Sequence, residues 1–385
     1  MAFLKTAALA GLAAGIGLAA SAAEVTVGVL VPYSGVYAAL GQEIYDGFTL
    51  ALDTYNDTGT TFRLMREDTE AKPPVGLAKT RKLLLQDKAD VIVGVVSSGV
   101  LGAIRDMVHS SKAPLIVANA GADEATGAKC SPYVTRLSFS NSQVNRPMGQ
   151  WLYDQGVRRV YTLAADYAAG HEMVGAFAEA FRAAGGEVVG QDFTPFQKTQ
   201  DFGPYLTAAQ ASGAEAVYAF YAGGEAVSFV KQYDSFGLAD SLPLYGSGFL
   251  TSTLYVDAQG PAADGVITAL HYTPTIDNAE NRAFVAAFRA RTGRLPSEYA
   301  VHGYDAGRAL VQAVKAGAEG REALAAALRG VSFEGPRGAT SVDPATGNIV
   351  QPVYVYRTVV TDAGATQQVL ATLPDQRDPA NGCAM

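Results

Sequence analysis

The chain has 385 residues, 49% hydrophobic and 17% charged, with a formal net charge of −8. That balance is globular, and the length exceeds what one hydrophobic core usually organises, so two domains are expected. An acidic chain without a run of Lys and Arg argues against binding DNA, RNA or anionic lipid.

The first segment reads as an export leader. Lys5 supplies a short basic start, Thr6 to Ala20 is apolar, and Ser21-Ala22-Ala23 gives the small residues a signal peptidase needs. Cleavage is expected before Glu24, and the absence of a Cys there argues for an exported, soluble and free product. Two cysteines follow, Cys130 and Cys383. In an oxidising compartment an even count favours one disulfide between them. Neither has a neighbouring Cys or His at metal-ligand spacing, so no metal site is expected.

After the leader, short apolar strands alternate with helices. Val25–Val31, Phe62–Arg66, Val91–Val96 and Pro114–Ala118 read as strands. Ala38–Asn56, Pro73–Asp87 and Gly99–Ser110 read as the helices between them, with Leu40, Ile44, Phe48, Leu52 and Tyr55 at helical spacing. The pattern then restarts. Helices are expected at Val144–Gln155, Met173–Ala184, Tyr205–Ala211 and Glu225–Phe236. Strands are expected at Arg159–Ala164, Glu187–Gln191, Ala216–Tyr221, Leu242–Gly246 and Val266–Leu270. Continuous apolar strands separated by helices indicate parallel sheets covered on both faces. The fold class is therefore α/β, as two Rossmann-like lobes. Three more helices follow, Glu280–Thr292, Ser297–Ala316 and Arg321–Leu328. An antiparallel hairpin, Val353–Val360 with Gln367–Leu373, closes the chain.

Motifs for catalysis are missing. The four histidines, His109, His171, His271 and His302, form no HExxH or similar pair. There is no GxSxG elbow and no GxxxxGK[ST] loop. Gly246-Ser247-Gly248 follows a strand but position 251 is Thr, so the dinucleotide fingerprint is incomplete. It reads better as a tight turn at the crevice end of a parallel strand. Asp305 and Arg308, one turn apart, read as an exposed pair of little energetic weight.

Pro32-Tyr33-Ser34-Gly35 with Gly41, Lys79 to Val93, Gly94-Val95-Val96-Ser97-Ser98, Ala165 to Gly170 and Tyr299 to Gly307 together resemble exported substrate-binding proteins of the branched-chain amino acid type. These serve ATP-driven importers, and the resemblance covers essentially the whole mature chain. It implies a type I periplasmic binding protein, two lobes joined by three hinge crossovers, near Ser138–Ser140, His271–Thr273 and Ser341–Asp343. Residues 24–139 with 273–341 would form lobe 1, and 140–272 with 342–385 lobe 2.

The resemblance also implies a pocket. The family's first-lobe serine falls on Ser98, beside Ser97, at a helix start whose amides suit a carboxylate. Ala122 stands where a threonine is expected, after Asn119, Ala120 and Gly121. Ala169 replaces a Tyr, and Ala222 or Gly223 an aromatic. The acid that neutralises a ligand's ammonium falls on Gly248. Tyr37, Leu40, Tyr167, Phe220, Phe249 and Tyr299 would line the cleft, and His302 is a further candidate whose commoner role is structural. An ammonium buried without an anion is costly. A carboxylated ligand without one is expected, and the Gly-Ser-Gly-Phe-Leu-Thr segment is similar to the aromatic-acid-binding branch of the family. The expected partners are that ligand and a membrane permease, with no nucleic acid, no cofactor and a monomeric carrier. Alternatives are a branched-chain amino acid or amide binder, a ligand sensor of the same fold, or an α/β enzyme.

Overall fold

The computed structural model describes residues 24–385; the leader read at 1–23 lies outside them. The first run comprises β1 (Glu24–Val31), α1 (Ala38–Tyr55), β2 (Thr61–Asp68), α2 (Pro73–Leu85), β3 (Val91–Gly94), α3 (Ser98–Ser110), β4 (Leu115–Val117) and β5 (Val134–Arg136). Its strands form a parallel sheet of order β2-β1-β3-β4-β5. Every residue of β3 and β4 is buried, which is why they read as unbroken apolar runs.

The second run comprises α4 (Arg146–Asp154), β6 (Arg159–Asp166), α5 (Ala168–Ala183), β7 (Glu187–Pro195), α6 (Gly203–Ala211), β8 (Ala216–Phe220), α7 (Gly224–Ser235), β9 (Leu244–Ser247), α8 (Val256–Gln259) and β10 (Ile267–Leu270). Then come α9 (Ala279–Thr292), α10 (Glu298–Lys315), α11 (Gly320–Leu328), β11 (Ser332–Gly335), β12 (Gly338–Val342), β13 (Ile349–Thr361) and β14 (Gly364–Gln376). The second sheet runs β11-β12-β13-β10-β9-β8-β6-β7, with β14 on β13. It is parallel from β10 to β7 and antiparallel beyond β13.

Several elements depart from the sequence reading. The short strand β5 and the hairpin β11–β12 are additional. Helix α4 starts at Arg146, with a proline in its first turn where no N–H is needed. Helix α5 starts at Ala168, five residues before the expected Met173. Gly170 permits this, because a Cβ there would sit 1.9 Å from the Ala165 carbonyl oxygen.

Helix α10 returns to the first lobe and packs on α1. The two backbones approach closely: a Cβ on Gly303 would lie 2.0 Å from the Ile44 oxygen, and one on Gly47 1.9 Å from the Ala300 oxygen. Only glycine fits such a crossing, and the pair fixes two walls of the cleft described below. The expected disulfide is present. Cys130 and Cys383 are bonded with Cα atoms 5.5 Å apart, tying the C-terminus to the loop before β5.

β5 ends the first sheet, α4 and β6 open the second run, and after β10 the chain returns to pack α10 on α1 before β11 and β12 join β13. Arg337, in the turn between β11 and β12, is fully buried where these passages meet, and so is its ion-pair partner Asp305 at 2.7 Å. Its guanidinium also donates to the carbonyls of Leu137 and Ser138 and to Gln351 of β13. Gln351 in turn donates to Ser138 and Gln143. The expected exposed pairing of Asp305 with Arg308 is therefore corrected. Asp305 faces inward to Arg337, whereas Arg308 lies over the rings of Tyr55 and Phe333. Removing one partner of a buried ion pair strands the other charge. Asp305→Ala is expected to lose about 3–5 kcal/mol of unfolding free energy. Removing the exposed Asp277, paired with Arg282, should cost about 1 kcal/mol or less. Urea denaturation of both variants checks this.

Candidate functional site

A slot of about 40 Å³ lies between the lobes. The first lobe supplies Tyr37 and Leu40, from the start of α1, Val96, Ser97 and Ser98 before and at the start of α3, and Asn119 and Gly121 after β4. Tyr299 reaches it from the first turn of α10. The second lobe adds Tyr167, Ala169 and Met173 around α5, Phe220 and Ala222 at the end of β8, and Phe249 after β9. Phe139 and Asn141, on the passage after β5, complete it.

The backbone before α3 is strained in a way that places Ser97 and Ser98. Gly94 has φ +131 and Val95 φ +67. A positive φ is rare for a β-branched residue, and the surroundings must hold it. Here Val95 N–H donates to Leu30 O, its carbonyl accepts from Ala120, and its side chain is fully buried. The first amides of α3 have no partner inside the helix, and its capping residue Ser97 makes no side-chain cap. That end of the slot is thus rich in donors. Behind it, buried Arg136 donates to the Ala122 carbonyl at 2.7 Å, polarising the same loop. None of the side chains lining the slot is charged.

The remaining wall is aromatic. Phe139 and Phe249 have centroids 5.1 Å apart, Phe249 and Tyr299 5.9 Å, and Phe220 meets Phe249 edge-on at 6.2 Å. Tyr167 stacks on Phe196 at 4.1 Å. Burial pushes the hydroxyls of Tyr37, Tyr167 and Tyr299 well up, so all three stay protonated donors.

Two carboxyls stand just outside the slot and join the lobes. Glu172 of α5 accepts from Asn141 Nδ2 at 2.5 Å and from the Asp123 amide of the first lobe at 3.3 Å. Burial, with the neighbouring Asp123 charge second, raises Glu172 from 4.5 to about 7. Asp123 is itself held by the Ser142 amide and hydroxyl. Glu298, in the first turn of α10, is also raised by burial to about 7.

Of the residues expected from sequence, Tyr37, Leu40, Ser97, Ser98, Asn119, Gly121, Tyr167, Phe220, Ala222, Phe249 and Tyr299 line the slot. Three do not. Ala120 packs into the first-lobe core. Gly248 is turned the other way: a Cβ there would lie 2.2 Å from the Tyr356 hydroxyl and 2.5 Å from Leu270 Cβ. Position 248 therefore lacks room for an acid, and a side chain there would not point into the slot. His302 lies behind Phe139. Its Nε2 is 2.5 Å from His271 Nε2, Phe139 stacks over both rings, and burial holds both imidazoles neutral. Val96, Phe139, Asn141 and Met173 line the slot without having been expected there, and Glu172 braces it. Asn141 lies in Ser138–Asn145, a polar run that is buried throughout. Such burial of polar residues outside regular structure is the signal that marks it.

The site has relatives. A periplasmic binding protein family model matches residues 24–365. The Leu/Ile/Val-binding protein homolog 6 of Brucella melitensis is 32% identical, over 98% of this chain and 99% of that one. A solute-binding protein of an ABC transporter from R. palustris, solved in complex with benzoate, is 38% identical with TM-score 0.86, covering 94% of this chain and 100% of that one. Another, from Rhodopseudomonas palustris BisB5 in complex with 3,4-dihydroxybenzoic acid, is 32% identical with TM-score 0.87, covering 92% and 99%. With the fold, the two lobes and the cleft in agreement, the chain belongs to the periplasmic binding protein family.

Proposed function

We propose that this protein is the exported, soluble binding component of an ATP-driven importer, and that it captures a small aromatic carboxylate by lobe closure. One observation carries the ligand class. The slot joins uncharged donors at the start of α3 to a wall of Phe and Tyr rings, and no carboxylate side chain lines it. The helix start and the Ser98 hydroxyl suit an anion without a full counter-charge. The rings suit a flat apolar body. An amino acid's ammonium would enter such a slot without an anionic partner. The solved relatives with benzoate and dihydroxybenzoate support the same class.

Capture, not chemistry, is the role assigned to the slot. Ligand bridging the two walls favours the closed form, which a membrane permease would recognise. The mature protein would be periplasmic and monomeric, with lobes divided near the three hinge crossovers given above.

A thermal-shift screen tests the ligand class. Benzoate or 4-hydroxybenzoate at a hundred times its Kd should add about 2.7 kcal/mol of stability. Leucine and valine should add nothing. Stabilisation by leucine alone would give the site to an aliphatic amino acid instead.

Closure should also depend on pH through Glu172. Here it is buried against Asn141 and the Asp123 amide and raised from 4.5 to about 7, and on the proposed reading opening the lobes breaks those contacts. A group raised on closure takes up a proton as the lobes meet. Its favourable contribution is complete below the ordinary value and is lost as pH rises through the raised one. Benzoate should therefore bind several-fold more tightly at about pH 5.5 than at about pH 8. Glu172→Gln should flatten that dependence. Calorimetric titration at both pH values decides it, and an equal slope in the variant would remove Glu172 from the linkage.

A further inference from the structure

We propose that the ligand of this cleft carries a hydroxyl beside its carboxylate, and that this hydroxyl donates its one proton to the amide oxygen of Asn119 or Asn141. The inference rests on the aromatic-carboxylate reading above and narrows it.

Both amides are fixed in orientation. Asn119 Nδ2 donates to the Val96 carbonyl at 3.0 Å. Asn141 Nδ2 donates to the Glu172 carboxyl at 2.5 Å and lies 3.3 Å from Ser98 Oγ. Turning Asn119 around would set its oxygen against the Val96 carbonyl, and turning Asn141 would set its oxygen against the Glu172 carboxylate when that group is ionised. The two Oδ1 atoms are thereby left over. Each is buried and has no hydrogen-bond donor among the described residues. Asn119 is 7% exposed and Asn141 1%, and both line the slot. Gly121 keeps the second oxygen uncovered, since a Cβ there would lie 2.2 Å from Asn141 Oδ1.

A buried acceptor without a donor is costly, and a ligand that supplies the donor recovers that cost. A bare carboxylate offers none, because it only accepts. It matches the Ser98 hydroxyl and the α3 amides but not the two amide oxygens beside them. A hydroxyl adjacent to the carboxylate supplies one donor at the same end of the molecule, enough for one of the two amide oxygens. An ammonium in its place would also donate, but it brings a full charge to a lining without an anion. The ligand class is thus an aromatic acid of the salicylate or mandelate type, with its ring among Phe139, Phe220, Phe249 and Tyr299.

The test is calorimetric titration of the full mature protein with matched probes: benzoate against salicylate, and phenylacetate against mandelate and phenylglycine. At least one hydroxylated acid should bind about tenfold more tightly than its parent, the effect of one well-made hydrogen bond to a buried acceptor. Phenylglycine should bind more weakly than mandelate. At least one of Asn119→Ala and Asn141→Ala should shrink the ratio between hydroxylated and parent acid, a readout that general damage to the cleft leaves alone. If an alanine variant does not fold, the wild-type ratios decide. Hydroxylated and parent acids binding within twofold of each other overturn the hydroxyl while leaving the aromatic-carboxylate reading intact. Phenylglycine binding best overturns it in favour of an amino acid. Binding by none of the five overturns both.

Discussion

A full positive charge without exposed surface sits where the chain crosses between its lobes, and the rest of the structure is arranged around satisfying it. A buried guanidinium needs acceptors for its N–H groups. That of Arg337 is held by Asp305 of α10, the carbonyls of Leu137 and Ser138, and Gln351 of β13. These groups come from different passages of the chain. A charge that needs all of them fixes where the passages run relative to one another. It also fixes Phe139 and Asn141, which follow Ser138 directly and enter the slot. The crossing and the binding site are therefore one construction, with the neutral His271–His302 pair backing Phe139 from the other side.

Around that crossing, recognition divides between the lobes. The first lobe contributes polar groups at the strained Gly94–Val95 turn and the start of α3. The second contributes mostly rings and apolar surface. On the proposed reading a ligand engages both to gain its full binding energy, and closure then follows from binding. Glu172 and Glu298 add buried carboxyls beside the cleft, and desolvation raises both to about 7.

Much of the fold was legible because parallel strands buried on both faces leave continuous apolar runs between amphipathic helices. The same logic fails for β5, three residues long and carrying the buried Arg136, and for β11–β12, whose strands contain Ser, Glu, Gly and Thr. In the site, Ser98 and the aromatic walls, which line the slot, were reached through the family resemblance. Phe139 and Asn141 were not, since they occupy an irregular passage with no periodicity to read. Asp305 looked like half of a surface pair because its partner lies 32 positions away, beyond the reach of helical spacing. Gly248 was read as a lost acid, and its absence still describes the slot. The reason differs: Tyr356 and Leu270 occupy the space a side chain would need.

The central claim is that an aromatic carboxylate closes the two lobes on itself. Small-angle scattering of the mature protein, with and without benzoate or its hydroxylated analogues at saturation, tests it most directly. A fall in the radius of gyration on adding such an acid, with no change on adding leucine, is the predicted result. Closure by leucine and not by any aromatic acid, or tight binding of an aromatic acid with unchanged dimensions, would contradict the account.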